Sequence, residues 1–276
     1  MKSLKLNQKT ALVTGAASGL GFEFSKLLVE DSYNVILVDV NKELLLETKN
    51  YIQSKYNINV KIIHKDLSKI NAPKEIFESI KAPVDVLINN AGFGLFGSFN
   101  KTNWQRELDM LNLHIITTTQ FTKLFLDGMI NRDSGRILNV SSLAAFQPGP
   151  LMSIYYASMA YILSFSEALA NELKGTGVTV TTLCPGPTKT RFQEVVSNNS
   201  SKNKIKFNMA SAKYVANIGY IAMLEGKEIA IPGMHTEKGF VYYLLGLNGF
   251  VMLICTLKKC LFSGLHRCFM NLFAGY

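Results

Sequence analysis

The sequence predicts an α/β domain built on one doubly wound parallel sheet with helices on both faces. Three observations predict it. Short runs rich in Val, Ile and Leu alternate with helix-length stretches between residues 10 and 184. These runs are nearly continuous in apolar character, as in strands buried on both faces. No low-complexity linker or internal repeat interrupts the alternation. At 276 residues the chain is at the upper end of a single domain. We therefore expect one domain over residues 1–235 and an apolar helical extension over 236–276.

The elements follow in order. Residues 10–14 form a short apolar strand, and 20–31 a helix entered through glycines. Residues 34–40 (NVILVDV) form a second strand, followed by a charged helix over 42–55. A third strand spans 60–64 and a short helix 73–80. The fourth strand, 84–89 (VDVLINN through Asn90), ends at the loop 91–97. A long helical region over 104–130 leads to a strand at 136–140, and a helix over 155–173 to a strand at 178–184. Two later stretches break the rhythm. Residues 193–208 are polar (SNNSSKNK) and read as a mobile loop. Residues 240–257 carry no charge, which is near the lower limit of about 17–25 residues for a membrane span. Gly246, Asn248 and Gly249 weaken a spanning helix. Packing on the domain or on another subunit is the expected role, with membrane-surface contact as the alternative.

Composition excludes several classes. Apolar content of 48% with 18% charged residues describes a globular protein. Cys184, Cys255, Cys260 and Cys268 form no CxxC pair and have no zinc-like partner spacing, so no metal is expected and a reducing, cytoplasmic compartment is the simplest reading. The start of the chain lacks the apolar run of a signal peptide. The net charge of +9 comes from scattered lysines with no basic helix, which argues against nucleic acid.

The chemistry begins at Thr14-Gly15-Ala16-Ala17-Ser18-Gly19-Leu20-Gly21, between the first strand and the first helix. Glycines there let the backbone turn tightly and approach a pyrophosphate, whose charge meets the helix N-terminus. Asp39 ends the second strand, where a carboxylate bonds an adenosine ribose hydroxyl and repels a 2′-phosphate. This favours NAD(H). NADP(H) is the alternative, because Lys42 stands close by in sequence.

The Gly-x3-Gly-x-Gly spacing preceded by Thr14 resembles the short-chain dehydrogenase/reductase family, and the resemblance continues over about two-thirds of the chain. Asp66-Leu67 follows the third strand, Asn89-Asn90-Ala91-Gly92 the fourth, and Asn112 falls in the next helix. Ser141-Ser142, Tyr155 and Pro185-Gly186 complete the series. The segments AGFGLFG, SFSEALANELKGTGV and CPGPTKTRF, with IPG at 231–233, look most like the DltE-like oxidoreductase branch. The resemblance implies a Rossmann-type fold and a dinucleotide held by Gly15, Ser18, Gly19, Leu20, Gly21, Asp39, Asp66, Leu67, Asn90, Ala91, Gly92, Tyr155, Pro185 and Gly186. Thr188 and Thr190 would bind its carboxamide or phosphates, or serve only as loop residues. It also implies a homodimer or homotetramer.

By the same resemblance, Tyr155 is the general acid/base, Ser142 orients the substrate oxygen, and Asn112 helps hold a relay water. The family's lysine, four residues after the tyrosine, is Met159 here. Positions i and i+4 share one helix face, so a lysine there would set a cation beside the phenol. An ordinary tyrosine has a pKa near 10, so only about one in a thousand is ionised at pH 7. Turnover is therefore expected to be impaired while the adenine half still binds. Lys189 and Arg191 are the alternative cations. A natural loss of turnover and a single-base change from lysine are the other readings of Met159. The expected substrate is a ketone or secondary alcohol on an apolar small molecule, walled by Phe93, Phe96, Leu143, Phe146, Pro148, Met152 and Phe192. The competing function is a dinucleotide sensor or scaffold with little catalysis. His64 and His114 lack metal-ligand spacing and read as structural.

Overall fold

The computed structural model describes residues 8–192 and 209–233. The predicted extension over 236–276, including 240–257, and the polar stretch 193–208 lie outside the described residues. The strands of the main sheet are β1 (Thr10–Thr14), β2 (Asn34–Asp39), β3 (Val60–His64), β4 (Val86–Asn89), β5 (Gly135–Val140), β6 (Val178–Leu183) and β9 (Ile229–Ala230). They run in the order β3-β2-β1-β4-β5-β6-β9, and every pairing is parallel. The doubly wound α/β fold is thus as expected, and the main sheet holds one strand, β9, beyond the six expected from the sequence. Chain order reverses between β1 and β4, and both strands end at the crevice where ligands bind in such sheets.

The strands are apolar throughout because helices cover both faces. One core layer joins Val13, Phe24, Leu28, Leu37 and Ile88 to Tyr220 and Met223. The opposite layer joins Leu12, Val38, Leu87 and Ile137 to Phe121, Phe125 and Met129. The first layer belongs to the expected α1 (Gly19–Glu30) and α2 (Lys42–Lys55), together with α7 (Ala212–Leu224), a helix absent from the sequence expectation. The second is covered by α3 (Ala72–Ser79), α5 (Thr118–Asn131) and α6 (Ser153–Glu172).

The long helix expected over 104–130 is divided. It runs as α4 (Trp104–Leu111), a π-helical turn (Asn112–Thr117), and then α5. Such turns insert an extra residue and re-aim the side chains on either side. A small second sheet pairs β7 (Thr188–Lys189) with β8 (Ala210–Ser211) in parallel. Among the described residues, no helix is long and apolar enough to cross a membrane.

Candidate active site

Glycine geometry builds the first half of the site. After β1 the chain turns through Gly15 (φ +63°) and enters α1 at Gly19 (φ +55°), a region that L side chains rarely adopt. A Cβ at Gly21 would stand 2.1 Å from the Gly15 carbonyl oxygen, and one at Gly15 would stand 2.8 Å from Asn90 Nδ2. The loop is held from the next strand. Asn90 Nδ2 donates to the Thr14 carbonyl at 2.9 Å, and the Asn90 and Ala91 amides donate to Thr14 Oγ1 at 2.9 and 3.0 Å. Ser18 is the N-cap of α1 but makes no capping bond, and no acidic residue stands in the first turn. The opening amides of α1, beside Leu20, are left for an anion. Thr190 closes the turn from the other side, with its Cγ2 3.1 Å from where a Gly19 Cβ would lie.

Asp39 sits at the edge of this cradle. One carboxylate oxygen accepts from the Ala17 amide at 3.0 Å and the other from the Asn41 amide at 2.8 Å. Each oxygen keeps a lone pair for a ribose hydroxyl. Asp66 accepts from the Ser68 amide and hydroxyl at 2.9 and 2.7 Å. Burial raises the Asp66 carboxyl, but these bonds and Lys69 outweigh it and hold it below its ordinary value. Leu67 is buried, and its carbonyl accepts from Thr117 Oγ1 at 2.6 Å. A nicotinamide dinucleotide fits this donor set: open helix amides for its phosphates, and a carboxylate for its ribose.

The second half lies where β5, β6 and α6 meet. Ser142 stands two residues beyond the end of β5, and its Oγ accepts from the Ala144 amide at 3.1 Å. The Leu143 amide donates to the Pro185 carbonyl at 3.0 Å, and Gly186 closes on Leu143. Thr188 Oγ1 donates back to the Gly186 carbonyl at 2.9 Å. Tyr155, in the first turns of α6, lies near enough to Ser142 for that hydroxyl to favour its ionised form. Burial pushes the phenol up to about 12, Ser142 pulls against that shift, and Tyr156 adds to it. Met159 is buried beside it, clustered with Ala144 and Ile162, with Ala145, Tyr155 and Tyr156 packed against them. An apolar cluster thus occupies the position where a lysine stem would run. Lys189 and Arg191, the alternative cations, are both exposed. Asn112 opens the π turn and borders a groove shared with Ser68, Asn71 and Asp109.

Of the expected substrate walls, Phe192 lies 5.5 Å ring to ring from Tyr155. Phe93 follows Gly92 and reaches the tyrosine through His114, 6.2 Å from it. Leu143 and Phe146 bound the 3-10 turn after Ser142. Phe96 and Met152 are carried on two loops joined where the Gly97 amide donates to the Leu151 carbonyl at 2.8 Å. Pro148 is exposed.

The residue that sequence reasoning missed is His114. It is 2% exposed, its Nδ1 lies 2.8 Å from Ser158 Oγ, and its ring meets Tyr155 edge-on at 5.9 Å. Burial pushes its pKa down to about 4. This predicts an acid-side loss of stability. Between about 6.5 and about 4 the unfolded chain takes up a proton that the folded chain excludes, so stability falls as pH drops through that window. The full loss is about 3 kcal/mol. Urea unfolding at pH 7 and pH 4.5 should show a steeper acid-side loss in the unaltered protein than in His114→Gln; equal slopes would refute the assignment.

The model for the short chain dehydrogenase family matches residues 9–201. The chain is 33% identical over 183 residues to the ketoacyl reductase HetN of a Nostoc species, covering 66% of this chain and 64% of that one. It is 31% identical over 208 residues to mouse 17-beta-hydroxysteroid dehydrogenase type 3, covering 74% and 68%. The chain thus spans a little under two thirds of the first relative. Among solved structures, a short-chain dehydrogenase from Sphingobium yanoikuyae in complex with NADPH superposes with a TM-score of 0.79. That match has 21% identity and covers 92% of this chain and 95% of the other. The glycine turn locked to Asn90, and Ser142 and Tyr155 at the sheet's ligand-binding edge, lie inside the matched span. The chain belongs to the short-chain dehydrogenases, a family of oxidoreductases that use a nicotinamide dinucleotide.

Proposed function

We propose that this protein binds NAD(H) in preference to NADP(H) and transfers a hydride to or from a carbonyl carbon on an apolar small molecule, with slow turnover. The observation that carries the reading is the buried Tyr155 phenol, on which the Ser142 hydroxyl acts, packed against Phe192 at 5.5 Å. When bound, the reduced nicotinamide supplies the hydride. The chain's own residues do the rest. Ser142 orients the carbonyl oxygen, and Tyr155 gives its phenolic proton to that oxygen as the C=O π bond becomes an alcohol. Bulk water returns the proton. A ketone on an acyl or steroid-like body suits Phe93 and Phe192, and the two relatives are a ketoacyl reductase and a hydroxysteroid dehydrogenase by name. We place the chain in the DltE-like branch on its sequence segments, and infer a homodimer or homotetramer from the family.

Asp39 supports the cofactor preference, since its carboxylate faces the glycine loop through Ala17. Calorimetry with NADH and NADPH should give tighter binding of NADH. Asp39→Ser should move the ratio toward NADPH by about tenfold or more, the equivalent of 1.4 kcal/mol. Tighter NADPH binding by the unaltered protein would overturn the preference.

A second reading is favoured by Met159. With the phenol near 12 and an apolar cluster beside it, the protein acts as a dinucleotide-responsive binding protein. Carbonyl reduction assays with NADH separate the two readings. Turnover above the rate of the Tyr155→Phe variant supports catalysis, and equal rates support the binding reading.

A further inference from the structure

We infer that His114 is a positioning residue that ties the loop at Phe93 to the turn of α6 carrying Tyr155, setting the wall of the cleft at its nicotinamide end. The inference rests on the dinucleotide reading above and extends it to a side chain outside the residues that carry the family resemblance.

The hydrogen bonds form one directed chain. Ser158 Oγ donates to the Tyr155 carbonyl at 2.8 Å, so its single proton is committed. Ser158 can then only accept from the imidazole, which places the proton of His114 on Nδ1, 2.8 Å away. Nε2 is left with a lone pair, and the Phe93 amide donates to it at 3.3 Å. The three donors, the Phe93 amide, His114 Nδ1 and Ser158 Oγ, each have an acceptor, and the series ends on the Tyr155 carbonyl. The imidazolium form would present a proton to the Phe93 amide and break the first bond, and burial keeps the ring neutral.

The placement gives this series its consequence. His114 lies on the π turn two residues after Asn112. Its Nε2 stands 3.0 Å from where a Cβ on Gly92 would be, so the ring lies directly behind the Gly92-Phe93 backbone. Its other side meets the edge of Tyr155. One side chain thus spaces the loop that follows β4 from the helix that carries the phenol. The guanidinium of Arg106 covers the Phe93 ring at 4.5 Å, which holds the loop from the outer side.

Conservative variants separate the two arms. Asparagine can place an N–H near the Nδ1 position and keep the Ser158 bond. Glutamine can place an oxygen near Nε2 and keep the Phe93 bond. Leucine keeps neither. The test uses the full chain and compares NADH with ADP-ribose, which lacks the nicotinamide. His114→Leu should weaken NADH by about tenfold and leave ADP-ribose unchanged, since each lost bond counts within that range. His114→Gln should recover most of the NADH affinity. Nitrogen-15 NMR of the unaltered protein should show a neutral imidazole protonated at Nδ1 at pH 7.

An Nε2-protonated ring would overturn the inference, as would equal weakening of NADH and ADP-ribose by His114→Leu. Unchanged NADH affinity in the leucine variant would overturn it too, leaving the dinucleotide reading in place. Failure of the unaltered protein to bind either ligand would instead sink the dinucleotide reading, and this inference with it. If the leucine variant does not fold, the glutamine and asparagine variants still decide the matter. Amide exchange at Phe93 should then be faster in the asparagine variant than in the glutamine one, and equal rates would overturn the inference.

Discussion

Replacing Met159 with lysine is expected to raise carbonyl reduction by roughly 10²–10⁴-fold, the range that a tuned acid/base contributes. Burial holds the Tyr155 phenol near 12, so about one molecule in 10⁵ is ionised at pH 7. Position 159 lies one turn along the same face of α6, and an ammonium within about 4–6 Å lowers such a pKa by roughly 1–3. The sign can be read from the pH profile. Alcohol oxidation needs the phenolate, so its rate should climb with pH toward about 12 in the unaltered protein and level off at lower pH in the variant. An opposing effect comes from packing. Met159 is 4% exposed among Ala144, Ile162 and Tyr156, and an ammonium there loses its hydration. The apo variant should therefore melt at a lower temperature, with NADH recovering part of the loss. Kinetics of both proteins against pH, with an ultraviolet titration of the phenol, make the test. Equal turnover in the two would show that another group already serves the tyrosine.

Why the fold was legible, and where legibility stopped, follows from which signals are local. Strands β1 to β6 are runs of Val, Ile and Leu long enough to be seen against their helices. The last strand of the main sheet, β9, has two residues, and it exists because the Thr182 and Cys184 amides donate to the Glu228 and Ala230 carbonyls at 2.8 Å. No periodicity can mark a pair that short. The division of 104–130 is equally hidden, because the π turn carries neither glycine nor proline.

The site divides the same way. Gly15, Gly21 and Asn90 announce themselves because the backbone needs those residue types there. His114 does not. Its partners are 21 and 44 residues away, and in isolation it is one histidine between leucine and isoleucine. The glycine cradle was thus readable from the chain as written. The spacing between the Phe93 loop and α6 needed the fold before it meant anything.

Gly21→Ala carries the other large effect, and it acts on binding. The added methyl would meet the Gly15 carbonyl oxygen at 2.1 Å and Asn90 Nδ2 at 2.7 Å. A carbonyl oxygen at the start of a turn cannot rotate away as a side chain can. Relief requires α1 to shift away from the turn, or Gly15 to leave its positive φ. Either movement displaces the amides that would face the phosphates, and it breaks the bonds from Asn90 to Thr14 and Gly15. Overpacking of this kind costs typically about 1–3 kcal/mol in stability. Affinity for NADH should fall by about 100-fold, a loss of about 2.7 kcal/mol. ADP-ribose should weaken by the same factor, because the damage lies in the pyrophosphate half that both ligands share. That pattern differs from the His114→Leu result, which spares ADP-ribose. Gly175→Ala is the control. Its φ of +89° makes alanine strained, yet nothing lies within 4 Å of the new methyl. It should cost about 1–2 kcal/mol of stability and leave both affinities alone. Calorimetry and thermal melts on the two variants decide the matter. Unaltered NADH binding by Gly21→Ala would mean that the phosphates do not sit on this turn.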